Sequence, residues 1–182
     1  LDYHELAAVA KIENGQLILE AYNASSSEVI ELSQELLEGD FEVELKMLSM
    51  SWDSLNIPQF RMEVYDLENP QSHVSGIAVN NNSFYTYVDA INGNADLRII
   101  SQHAGVIGIR RIDSVLTSSA QFGNVQWSLA DTLDNSDLGI RLVFGTIGSA
   151  QGRVRVVLDD LELNVSGHST VQPDDFDCVS WF

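Results

Sequence analysis

Sugar rings are held by flat aromatic faces and by planar polar side chains, and a few residues of this chain suit that chemistry. Trp52 stands in Met50-Ser51-Trp52-Asp53-Ser54, which reads as a loop, where a large apolar ring has little core to fill. Tyr85 and Tyr87 alternate with Phe84, Thr86 and Val88. With Phe84 and Val88 turned inward, the two tyrosines stand on the outer side of their strand. Trp127 reads as a core ring. Arg61 is a candidate donor for the same ligand. It shares a face with Glu63, so a charged ladder on a solvated sheet explains the pair equally well.

Acid–base chemistry on a glycan needs two carboxyl groups facing one another. The nearest group is Glu63, Asp66 and Glu68 in Glu63-Val64-Tyr65-Asp66-Leu67-Glu68. In a regular strand Glu63 points away from the other two, and Asp66 onward reads as a turn. Three acidic clusters have the oxygen chemistry for calcium: Asp89 to Asp96, Asp134-Asn135-Ser136-Asp137, and Asp159-Asp160. None has EF-hand spacing, and Asp and Asn favour turns in any case. The histidines at 4, 73, 103 and 168 lack metal-ligand spacing, and the one cysteine, Cys178, permits neither an internal disulfide nor a cysteine zinc site. No nucleophile elbow, phosphate-binding loop or dinucleotide fingerprint occurs.

The balance of charge narrows the partners. Net charge is −18, with nine basic residues against 27 acidic ones. Nucleic acid and anionic membrane surfaces both require clustered cations, so neither is an expected partner. No apolar run is long enough to span a bilayer, so membrane insertion is not expected either. The chain opens on Leu1-Asp2-Tyr3-His4-Glu5 without a leader, which fits a processed protein or an excised domain.

The elements that must position these residues are strands. Phe41 to Met47 alternates strictly, with Phe41, Val43, Leu45 and Met47 on one side and Glu42, Glu44 and Lys46 on the other. Phe60 to Val64, Leu138 to Phe144 and Arg153 to Val156 repeat the pattern. Further strands are expected over residues 16–22, 29–32, 75–80, 83–89, 97–103, 106–112, 125–130 and 160–165, parted by turns such as Asn14-Gly15 and Glu38-Gly39-Asp40. Phe41, Val43, Leu45, Ile140, Leu142, Val154 and Val156 are the expected core. Residues 1–165 form one sandwich domain. Residues 166–182 are a linker or C-terminal tail that packs back on the domain or opens a further module.

Several of these segments resemble the concanavalin A-like (laminin G-like) sandwich domains. They are Asn14-Gly15-Gln16-Leu17-Ile18-Leu19, Leu37-Glu38-Gly39-Asp40-Phe41-Glu42-Val43-Glu44, Leu138 to Phe144, and Val154 to Leu163 with its Asp159-Asp160 pair. The resemblance spans roughly residues 9–165. It implies an all-β, two-sheet antiparallel β-sandwich (jelly-roll, concanavalin A-like), with ligands on a concave face or the loop rim. It also implies a structural calcium site in which Asp160 or Asp159 meets Asp2 and Glu5 from the chain start. The alternative is that one aspartate caps a β-bulge and the other is solvated. Lyases of this class would need a histidine, a tyrosine and an arginine/glutamine cluster on the concave face. Gln102-His103 is the one Gln-His pair, and no Arg-x-Glu-x-Arg strand accompanies it. The expected function is therefore a non-catalytic carbohydrate-binding or adhesive module, extracellular or at the cell surface, whose partner is a glycan or a cell-surface protein. A self-associating structural domain and a polysaccharide lyase or glycoside hydrolase are the alternatives.

Overall fold

The computed structural model describes residues 7–22, 30–37, 39–53, 57–68, 73–79, 83–88, 94–132, 137–147, 153–165 and 177–179. These residues form fourteen strands and no helix: β1 (Ala7–Glu13), β2 (Gln16–Tyr22), β3 (Ile30–Leu37), β4 (Phe41–Trp52), β5 (Ile57–Asp66), β6 (His73–Val79), β7 (Ser83–Val88), β8 (Asn94–Ile99), β9 (Gly105–Ile112), β10 (Val115–Phe122), β11 (Val125–Thr132), β12 (Leu138–Ile147), β13 (Arg153–Val165) and β14 (Asp177–Val179). They make two seven-stranded antiparallel sheets. Sheet A runs β1-β2-β13-β4-β9-β10-β11 and sheet B runs β14-β3-β12-β5-β6-β7-β8.

Alternation explains the core. All seven expected core residues are buried, as are Met62, Ile77 and Phe84 from sheet B and Ile107, Leu116 and Phe122 from sheet A. Phe84 and Phe122 meet across the sheets with ring centroids 5.4 Å apart. The Asn14-Gly15 turn has positive φ at both positions (54° and 78°), the geometry that matches the twist of a two-residue hairpin.

Several boundaries differ from those read in the sequence. β4 continues to Trp52, so Trp52 ends a strand and is not in a loop. The β4–β13 register shifts between Met47 and Ser49, and this bulge brings Met50 and Trp52 back to the inner face. Residues 97–103 are not one strand: β8 ends at Ile99, and residues 100–104 carry the chain from sheet B to sheet A. Arg153 to Val156 and Asp160 to Val165 are one strand, β13, with an irregularity between Asp159 and Glu162. β12 and β13 do not pair with each other; each takes a central place in a different sheet. β1, β10 and β14 had no counterpart among the expected strands. β14 pairs with β3, so Asp177–Val179 add to the edge of sheet B.

Candidate functional site

The outer face of sheet B carries the largest departure from the sequence reading. The register aligns Ser33, Arg141, Glu63, Gly76, Tyr87 and Ala95 in one row across the sheet. The next row holds Glu31, Val143, Arg61, Ala78, Tyr85 and Leu97. A wet sheet face would leave Arg61 and Glu63 in solvent, but Glu63 is 1% exposed and Arg141 8%. The expected solvated ladder is instead a buried ionic cluster. Alternation sorts side chains between two faces and is silent on whether the second face is covered.

Glu63 is the centre of that cluster. Arg141, its direct cross-strand partner, donates from Nε to Oε2 at 2.8 Å. Arg61, two residues away on β5, brings a guanidinium nitrogen to 3.4 Å from Oε1. One carboxylate thus serves two cations, leaving the three groups with one net positive charge. The Arg141 guanidinium also lies 5.1 Å from the Tyr65 ring centroid, within cation–π range. Tyr65 lies over its cross-strand partner Gly139, where any Cβ would overlap the phenol ring. Gly139→Ala should therefore cost about 1–3 kcal/mol in denaturant unfolding, the range for overpacking. In a Tyr65→Ala background most of that cost should vanish; an unchanged cost would place its origin elsewhere.

The other candidates are distributed as follows. Tyr85 and Tyr87 stand in register with Ala78 and Gly76, alternating with the fully buried Phe84. Trp52 lies off this face: it is partly buried against the core, with His103 edge-on to its ring at 5.1 Å. Gln102-His103 therefore belongs to the link between sheets, not to the outer row of sheet B. Asp66 accepts the Glu68 amide at 2.8 Å, so that acidic group closes a turn. Asp159 accepts the Asp160 amide at 3.1 Å, and Asp160, at φ 47°, reaches Lys46 at 3.2 Å. Asp2 and Glu5, the other half of the expected calcium set, lie outside the described residues. Among the described residues no three His, Cys, Asp or Glu side chains gather as a metal group.

The sequence did not reveal Arg141 as a site residue. Its position in an apolar alternating strand, at an outward place, was the available signal.

No family model matches the chain, and no curated protein matches it. Solved structures do. The chain is similar to a functionally unknown protein from Saccharomyces cerevisiae, at 10% identity and TM-score 0.59, over 88% of this chain and 93% of that one. It is similar to a marine PL7 alginate lyase from Zobellia galactanivorans, at 8% identity and TM-score 0.60, over 86% and 83%. It is also similar to the CBM2 module of the evolved Dit of Lactobacillus casei BL23 phage J-1, at 9% identity and TM-score 0.53, over 90% and 82%. At these identities the likeness establishes a jelly-roll β-sandwich fold.

Proposed function

We propose that this chain is a non-catalytic carbohydrate-binding module of an extracellular or cell-surface protein, of the concanavalin A-like class, and that glycan lies at the β7–β8 end of the outer face of sheet B. The observation that carries the reading is the place of Tyr85 and Tyr87 at the outward positions of β7, alternating with the buried Phe84, with Tyr85 in register with the exposed Leu97. Tyrosine rings offer stacking surfaces to sugars. Structural neighbours named as alginate lyases and as a CBM2 module support a carbohydrate ligand.

Binding is favoured over catalysis by the burial of the carboxylate: Glu63 is 1% exposed and already holds Arg141 and Arg61, so it is not presented to a substrate. Self-association is the second reading. It is favoured by Leu97 and Ile99, 55% and 69% exposed on the edge strand β8.

A glycan array followed by calorimetry tests the reading. The expected result is binding of at least one polysaccharide, weakened about tenfold or more by Tyr85→Ala/Tyr87→Ala with no loss of thermal stability. A blank array overturns it. Release of ultraviolet-absorbing unsaturated sugars from a bound polysaccharide would make the chain a lyase instead. Dimer formation in light scattering, together with a blank array, would favour self-association.

A further inference from the structure

The outer face of sheet A also holds a concavity, on residues the sheet B face does not use. Register aligns Glu44, Gly108, Ser119 and Ser128 in one row and Lys46, Val106, Gln121 and Gln126 in the next. The depression is open to solvent and has a volume of about 440 Å³, within the usual range of small-molecule sites. Its origin is local. Gly108 contributes no side chain, and Ser119 Oγ turns down toward the Gly108 carbonyl oxygen at 3.4 Å. A Cβ on Gly108 would press on that hydroxyl at 3.2 Å. The floor is therefore low between the exposed Glu44 on β4 and the exposed Gln121, Gln126 and Ser128 on β10 and β11.

We infer that this depression is a second carbohydrate site, for a neutral sugar. The lining decides the ligand class by elimination. Among the described residues Glu44 is the one charged side chain that lines it, and Lys46 in the next row is turned to Asp160 at 3.2 Å. A phosphate or a uronate would thus meet a carboxylate inside the lining, while the nearest cations, Lys46 and Arg110, stand in the rows to either side of Glu44. Val106 is the aliphatic side chain of the lining, since Ala120 is buried on the inner face, and the Trp127 ring packs against the core and beneath Arg98, 3.8 Å from the guanidinium carbon. The surface is thus too polar for an apolar ligand. What remains are two carboxamides directly across from one another, two hydroxyls and one carboxylate. Each carboxamide and hydroxyl both donates and accepts, while the carboxylate accepts from a pair of hydroxyls. A polyol without charge satisfies that set, because every sugar hydroxyl can likewise do both.

The test is a proton–nitrogen correlation titration of the full chain with four neutral probes: cellohexaose, xylohexaose, mannohexaose and laminarihexaose. At least one should shift the amide signals of Gly108, Ser119, Gln121, Gln126 and Ser128. Gln121→Ala/Gln126→Ala should weaken that binding about tenfold or more, and Ser128→Trp, which fills the depression, should abolish it. Neither variant touches the sheet B residues, so array binding through that face should persist in both. Silence of these amides toward all four sugars at about 10 mM, or shifts that survive both variants, would overturn the inference. The array result on the other face is independent of either outcome, so the two sites stand or fall separately.

Discussion

Glu63→Ala is expected to destabilise the domain by about 3–5 kcal/mol in urea unfolding, the cost of isolating one side of a buried ion pair. The carboxylate is the shared partner of two arginines, one across the sheet and one along its own strand. Its removal leaves Arg61 and Arg141, neither well exposed, without their shared counter-charge. Glu63→Gln keeps the shape and one hydrogen-bond acceptor, so its cost should fall between zero and that of alanine. The informative variant replaces all three at once: Arg61→Met, Glu63→Leu and Arg141→Met. Apolar replacement of a whole buried cluster is often neutral or stabilising, so the triple variant should be much more stable than Glu63→Ala. If the triple variant is as unstable as the single one, isolated charge is not the cause. If it folds well but loses glycan, the cluster serves binding at no benefit to folding.

Leu142→Ala should cost about 2–5 kcal/mol, as expected for a large-to-small change at a filled position. Leu142 is 1% exposed in the middle of β12, in register with Leu32 on one side and Met62 on the other. The neighbouring Val143→Ala makes this a test of the sheet as well as of the core. Val143 points to the other face and is 2% exposed. On a sheet with one wet face, its truncation would be nearly neutral. Here it should cost more than about 1 kcal/mol, because the second face also excludes solvent. Equilibrium unfolding of both variants checks this; a neutral Val143→Ala would contradict the burial of the outer row.

How much was legible in the sequence follows from these same residues. Where one face is apolar and the other charged, as in Phe41 to Met47, period two gives strand, phase and buried side together, and all four apolar residues are buried. β10 was missed because Leu-Thr-Ser-Ser-Ala-Gln alternates in size more than in polarity: Ser118 and Ala120 are its buried positions beside Leu116 and Phe122. β1 was missed for a related reason, since Ala-Ala-Val-Ala has little side-chain contrast to read. Trp52 was misassigned to a loop because a bulge one turn of the pleat earlier resets the phase, and no residue type marks that slip. The Arg61–Glu63 pair was legible as two residues on one face. Its third member and its burial were not, because both depend on β12 arriving from nearly 80 residues away in sequence (141 against 63).

The places of β12 and β13 bear on how the protein is made. A ribosome delivers β5 to β8 and β9 to β11 first, and each set can zip through short connections, while β4 joins β9 from farther away in the chain (Phe41 with Arg111). But β2 and β4 flank a slot that only β13 fills, and β3 and β5 flank one that only β12 fills. Until residues 138–165 have emerged, the nascent chain therefore carries four strands with an unsatisfied edge, two of them, β4 and β5, bearing some of the most apolar faces in the molecule. Joining the halves is thus a late event governed by contacts between distant parts of the chain. That makes for slow folding and for a long interval in which another chain can occupy the vacant slot.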